Sequence, residues 1–374
     1  MSREMKKEPS ELLDTGRFPD DQARLIRSQI SGVTARRPVA TMMLEDFVSK
    51  LVWSRDGKFI SVGTSQGQLS ELDSATLERK STWRAHSHGL SDFASSHDGN
   101  LVATGGQDGK VGTFKIWERK DNAFRLVSES ASGAHTTEIV KFSPETDSIV
   151  TGSGKFMKVW DTQGQLTQEF KPLMSTISGI EWRGSKERIA TSSYGGIHLW
   201  DVGQQNPKRH FEWKGSLISM EISPNGKWIA GGCQDQSVHV WKATSGEDLE
   251  MSGYPTKVKP ICWNEDSRYL ATGGGADITV WDFSGKGPAG SKPIVRPGHV
   301  DMIVGFAFRP KHKTQFASIA RDGAFFLWDL LGEKRPLTLG VRTEKPSALA
   351  WSPDGKKLVV GYESGAVCLW DVES

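Results

Sequence analysis

Residues 298–329 read GHVDMIVGFAFRPKHKTQFASIARDGAFFLWD, three apolar runs separated by polar breaks. The runs IVGFAF, FASIA and AFFLW have strand length. The breaks, RPKHKTQ and RDG, are turn chemistry, so the stretch predicts a meander of antiparallel strands. Its third run ends on Trp328-Asp329. The same close recurs at Leu72-Asp73, Trp117-Glu118, Trp160-Asp161, Trp200-Asp201, Trp241-Lys242, Trp281-Asp282 and Trp370-Asp371, at intervals of 40 to 47 residues. A period of that size marks repeat architecture, in which no unit buries both faces of its own sheet and neighbours cover them.

Eight closes define eight units, numbered here from the N-terminus. Four of their first turns, SRDGK, SHDGN, SPNGK and SPDGK, carry the Asp-Gly or Asn-Gly pair that supplies a positive-φ position. The 40 glycines and 14 tryptophans suit a turn-rich chain with an aromatic close in most units. After Asp371 only Val372, Glu373 and Ser374 remain, so the eighth unit has three inner strands and no outer one. Residues 37–44, RPVATMML, precede the first unit in the register that residues 336–342, PLTLGVR, hold before the eighth. They are expected to supply that outer strand, covering an edge that would otherwise invite aggregation. Residues 1–36 match no unit. There, PDDQARLIRSQISG predicts a short capped helix with Leu25, Ile26 and Ile30 on one side, docked on the rim. The division is therefore an N-terminal extension, 1–36, and a repeat domain, 37–374.

These units resemble the repeats of the WD-repeat β-propeller family. The resemblance implies an all-β fold: a single closed propeller of four-stranded antiparallel blades, with the N-terminal strand completing the last. Eight blades follow from the closes; seven, the family's commoner number, is the alternative, and the first unit, with Leu72 for Trp, is the weakest. The resemblance also implies a hydrogen-bonded group in each blade, made of a His, a second-strand Ser or Thr, a turn Asp and the closing Trp. His299, Ser318, Asp322 and Trp328 match it in the seventh unit; His86, Thr104, Asp108 and Trp117 match in the second, with three extra residues before the Trp. Ser, His and Asp could also be a nucleophilic triad. But Ser318 falls mid-strand between sheets, so the group is read as structural, satisfying buried polar atoms and fixing the loop above. In the other units the His position holds Leu44, Gly133, Leu173, Trp213, Tyr254 and Arg342. Trp213 and Tyr254, with Lys257, Lys259 and Arg342 on the same face, form a candidate protein-binding set. The competing reading is that the two rings fill the vacated His pocket.

Lys plus Arg number 47 and Asp plus Glu 45, a net charge of +2, which gives no electrostatic reason for nucleic-acid or anionic-membrane binding. The N-terminus lacks the apolar core of a signal peptide. Cys233, Cys262 and Cys368 fall in predicted strands of different units and read as reduced thiols. His198 and His239 precede the close in neighbouring units and could face one another, though two ligands without a third make a poor metal site. The first-strand starts, Val48, Leu90, Glu138, Ile177, Leu217, Lys259, Met302 and Pro346, are too apolar for a metal cup. No catalytic residue, metal or cofactor is assigned. The resulting expectation is a cytoplasmic, non-enzymatic scaffold that binds one or more proteins. The alternative is an enzyme or small-ligand binder that uses the central channel.

Overall fold

The computed structural model describes residues 33–120, 123–184, 188–285 and 287–373. The expected helix near residues 19–32 lies outside them. Among the described residues, all regular structure is β-strand. The first unit shows the pattern: Val48–Trp53, Phe59–Thr64, Gln68–Asp73 and Arg79–Arg84 pair in sequence order as one antiparallel sheet. The inner strands are buried on both sides, while Arg79–Arg84 alternates exposed and half-buried residues as a sheet edge does.

The eight expected blades are gathered into seven hydrogen-bonded sheets. Six carry one unit each, and a six-stranded sheet carries the fourth and fifth together. The merger has a local cause. Arg188–Asp201 runs through the turn at Tyr194-Gly195-Gly196, its first half pairing with Ile177–Trp182 and its second with Arg209–Ile222. Gly195 and Gly196 have φ of +98° and +125°, and a Cβ on Gly196 would stand 2.0 Å from the Phe211 carbonyl oxygen. Only glycine permits so tight a reversal. Arg209–Ile222 then passes without a break from the outer strand of unit four to the first strand of unit five, pairing onward with Trp228–Cys233.

At the chain's beginning, Ala40–Met43 pairs antiparallel with Ala366–Asp371, setting Ala40 against Leu369 and Met43 against Ala366. Just before it, Thr34–Ala35 pairs parallel with Thr338–Val341 of the seventh unit, and Val33 is buried there. This corrects the boundary at residue 36. Residues 33–36 already belong to the repeat domain, whose first described residues bridge two successive units. A two-residue parallel strand leaves no periodicity to read.

The core lies between sheets. One apolar cluster joins Leu44, Val48 and Leu51 to Val359, Val367 and Leu369, so the first unit packs on the eighth. Tryptophans at the ends of first strands stitch neighbours together. The indole N–H of Trp53 donates to Ala350 O (3.1 Å), Trp182 to Lys141 O (3.1 Å) and Trp351 to Ala307 O (3.0 Å). Each buried large side chain is worth about 1.5–3 kcal/mol.

Candidate interaction surface

His299 lies in the connection leading to Ile303–Phe308, Ser318 at the middle of Gln315–Ala320, and Trp328 near the end of Ala324–Asp329. Antiparallel pairing brings the three together. His299 Nε2 is 2.7 Å from Ser318 Oγ and Nδ1 is 3.0 Å from Asp322 Oδ2, while Trp328 Nε1 donates to Ser318 Oγ at 2.8 Å. Asp322 also accepts from the Val300 and Ala324 N–H groups, both at 3.0 Å. Burial alone would raise its carboxyl pKa. The charge and hydrogen bond of His299, with those backbone donors, outweigh burial and hold it below the usual range. Ser318 is 0% exposed and His299 3%. A nucleophile needs an open approach, and Ser318 has none.

The second unit extends the pattern. His86 Nε2 is 2.9 Å from Thr104 Oγ1, Nδ1 is 2.9 Å from Asp108 Oδ2, and Trp117 Nε1 donates to Thr104 at 3.0 Å. Thr113 and Lys115 join it: His86 Nδ1 is 2.9 Å from Thr113 Oγ1, and Lys115 Nζ is 3.0 Å from Asp108. Burial opposes ionisation of Asp108, but hydrogen bonds from Thr113, the Ser87 N–H, Lys115 and His86 keep its pKa far below normal. Neither Thr113 nor Lys115 was singled out from the sequence. The signal was present in the longer hairpin GKVGTFKIW, where alternate residues 113, 115 and 117 share a face.

The vacated histidine positions fill in different ways. Tyr254 is buried; its hydroxyl is 2.7 Å from Thr272 Oγ1 and accepts from Trp281 Nε1 at 2.9 Å. It is therefore no surface anchor, because its phenol stands where the second and seventh units place an imidazole. Trp213 is half-buried against His239, ring centroids 3.5 Å apart. Gly231, across the pair from His239, has Leu217 and the Trp241 ring where a Cβ would stand. Leu44 and Leu173 are core residues. Arg342 is held by Glu344 at 2.8 Å and lies over the Tyr362 ring. Lys257 and Lys259 are exposed. The proposed set is thus split: two exposed lysines, one engaged arginine and two inward rings.

His198 and His239 have separate partners. His198 stacks on His210 at 4.1 Å, and burial plus that neighbour push its pKa down to about 4. His239 packs between Trp213 and Trp241. Among the described residues, no three His, Cys, Asp or Glu side chains could hold a metal ion. The three cysteines are free thiols. Burial pushes Cys233 up to about 11 and Cys262 up to about 12, which makes both poor nucleophiles.

Sequence comparison recovers the same repeats. The family model described as WD domain, G-beta repeat, matches residues 77–117, 205–242 and 338–371. These segments contain the closes at Trp117, Trp241 and Trp370. Three segments of the chain are WD repeats of the G-beta type. This WD-repeat chain is 24% identical over 304 residues to Nuclear distribution protein PAC1-1 of Uncinocarpus reesii, covering 61% of the chain and 67% of the relative. It is 24% identical to Periodic tryptophan protein 2 of Arabidopsis thaliana (70% and 32% covered) and 26% to human Transducin beta-like protein 2 (66% and 49%). The matches thus span from about a third to two thirds of these relatives' own lengths. Among solved structures, Sqt1 from Chaetomium thermophilum superposes with a TM-score of 0.77 at 16% identity, covering 90% of this chain and 99% of that one. The computationally designed Ika8 protein gives 0.74 at 18% identity, covering 90% and 100%. These two similarities concern fold alone.

In a WD-repeat meander, the turns between second and third strands and the outer-to-inner connections emerge on one face of the disc. Trp213, Lys257, Lys259 and Arg342 lie there. So do two residues the sequence reading passed over: Met174, in the connection before Ile177–Trp182, is 100% exposed, and Tyr194, in the next turn of the same unit, is 60% exposed. Nothing in the repeat pattern marks them, because the pattern registers what is buried.

The channel wall also departs from the sequence reading. The first-strand starts are too apolar for a metal cup on sequence, but equivalent positions deeper in the third, fourth and fifth units hold Lys141, Glu181 and Glu221, opposite Val150, Ala190 and Ala230. Lys141 Nζ and Glu181 Oε1 are 2.8 Å apart.

Proposed function

We propose that this WD-repeat propeller is a non-enzymatic platform binding one or more proteins on the face that carries its outer-to-inner connections. One observation carries the reading. The chemistry-bearing Ser-His-Asp groups are sealed and mutually satisfied, whereas Met174 and Tyr194 stand clear of the same face. Exposed apolar side chains over a rigid, satisfied frame are what a protein partner covers. The general behaviour of the family agrees, since WD-repeat propellers mostly act by binding proteins. The six-stranded sheet is read here as two radial blades in an eight-bladed ring closed by Ala40–Met43, which the separate pairings of its two halves support. Three free thiols support a reducing, cytoplasmic setting.

The test is a Met174→Asp, Tyr194→Asp double variant of the full chain. Proteins co-purifying with the parent should be lost from the variant by tenfold or more while its melting temperature stays within about 2 °C. An unchanged set of co-purifying proteins would dismiss this face as the platform.

A further inference from the structure

Two hollows on the opposite face, where first-to-second turns and third-to-outer connections lie, have no part in that reading. The first, about 140 Å³ in volume, sits at the joint between the fourth and fifth units and is lined by Arg183, Arg188, Lys208, Arg209 and Asp201 over an apolar floor. Four cations face one carboxylate. Asp201 is already taken, by Lys208 Nζ at 2.8 Å and Arg188 Nε at 3.4 Å. Among the described residues, Arg209 donates to neutral acceptors, the carbonyls of Ala243 and Thr244. Arg183 reaches the Gly226 carbonyl at 3.4 Å, and its buried Nε has no partner among the described residues. Burial, then the nearby Arg188 and Arg209, press the Arg183 pKa below its ordinary value. Among the described residues, Asp201 is thus the one carboxylate for four cations in the lining, and Lys208 and Arg188 already engage it. An excess of like charge drawn into one partly buried hollow is costly, and an anion between the guanidinium groups would lower that cost. A cavity of this size matches one that holds a benzene ring, so it has room for one tetrahedral oxyanion.

The second hollow, about 830 Å³, lies at the next joint on the same face, with Trp228, Leu249 and Phe283 in its lining and Lys227 and Lys242 beside them. That is the size of an ordinary ligand cleft. The two hollows share a rim, because Ala243 lines the first, Thr244 lines the second, and Arg209 is bonded to both carbonyls. An anion pocket continuous with an apolar cleft fits a ligand with a charged group on an extended, partly apolar chain.

We propose that this face binds a phosphorylated segment of a partner protein. The phosphate enters between Arg183, Arg188 and Arg209, where guanidinium donors match its oxygens, and the flanking residues run toward Trp228 and Phe283. The proposal rests on the propeller being a protein-binding platform, but it uses the other face.

The experiment is fluorescence anisotropy on the full chain at constant ionic strength. The probes are a capped alanine-leucine hexapeptide with one phosphoserine, its unphosphorylated twin, and potassium phosphate as competitor. The phosphopeptide should bind at least tenfold more tightly than either of the others. Arg183→Gln and Arg188→Gln should each weaken it fivefold or more. Asp201→Asn, which removes the competing carboxylate, should tighten it severalfold, and this gain stays readable even where Arg183→Gln does not fold. Trp228→Ala should weaken the peptide and leave inorganic phosphate unchanged. Three results would overturn the proposal: equal affinity of the two peptides, inorganic phosphate binding as tightly as the phosphopeptide, or weaker binding in Asp201→Asn. Phosphopeptide affinity should survive in the Met174, Tyr194 double variant, so failure on one face is separable from failure on the other.

Discussion

Trp370 closes the eighth unit fully buried, and its indole N–H has no acceptor. The reason lies on the neighbouring strand. In the third and fourth units the corresponding position is a threonine, and Trp160 and Trp200 donate to Thr151 and Thr191 at 2.9 and 3.0 Å. In the eighth unit it is Val360. Val360→Thr adds that acceptor at almost constant volume, and is expected to stabilise by about 1 kcal/mol, a gain of roughly 2–4 °C in melting temperature. The first unit provides the control. Val62 is equally buried, but the closing residue is Leu72, which has no N–H to offer. Val62→Thr should therefore destabilise, by roughly 1–3 kcal/mol. Calorimetry on both variants decides the matter, and shifts of the same sign would mean that the indole bond does not govern these sites. The hydroxyl positions were legible from spacing, because β pairing repeats at a fixed register. What replaced each histidine was not. Whether Tyr254 faced solvent or Thr272 depended on a 2.7 Å approach that counting residues cannot supply.

The N-terminal segment works as an element rather than through any one side chain. Thr34–Ala35 lies on the seventh unit's outer strand, with Thr338 Oγ1 donating to Thr34 O at 2.7 Å, and Ala40–Met43 lies on the eighth. Two truncations separate the roles. Among the described residues, removing residues 1–36 strips the short parallel pair, buried Val33 and the bonds of Arg36 to Leu339 O and Asp371 O, and should cost a few degrees of melting temperature. Removing residues 1–43 also bares the edge of Ala366–Asp371 and uncovers the cluster around Val367 and Leu369. That protein should aggregate, and what stays soluble should lose cooperative unfolding, because an open edge is a template for pairing. Size exclusion and denaturant titration of both truncations test this; equal behaviour would show that Ala40–Met43 holds nothing together. The pairing of residues 37–44 could be proposed from their likeness to residues 336–342, since both stretches precede comparable first strands. The merging of the fourth and fifth units could not. It depends on how tightly Gly195 and Gly196 turn, and on a connection short enough for one strand to serve both units.

Across the whole molecule, polar contacts link successive first strands around the channel. Lys50 Nζ bonds Asp92 at 2.6 Å, Asp92 accepts from the Val140 N–H at 2.9 Å, and Lys141 meets Glu181. Glu221 ends this series without a salt bridge among the described residues, and Lys141 is the cation acting on it. Burial, then the Glu181 charge, push its pKa up to about 8, and Lys141 only partly offsets them. The folded state therefore binds this proton more tightly than the open chain, where a glutamate titrates near 4.5. The stabilising contribution is complete below about pH 4.5 and disappears as pH rises through about 8, so stability falls with pH across that window. Glu221→Gln keeps the shape and the neutral form. Near pH 4.5 the variant and parent should melt within about 1 °C of each other; by pH 8.5 the variant should be more stable by a few degrees, the channel water that reaches this half-buried residue limiting the gain. Lys141→Met should steepen the parent's decline, because it deletes the charge that favours ionised Glu221 and leaves Glu181 without its partner. Melting curves at half-unit pH steps read both effects. Parallel curves for Glu221→Gln and the parent would show that Glu221 ionises freely, and that charge along the channel wall does not couple these units.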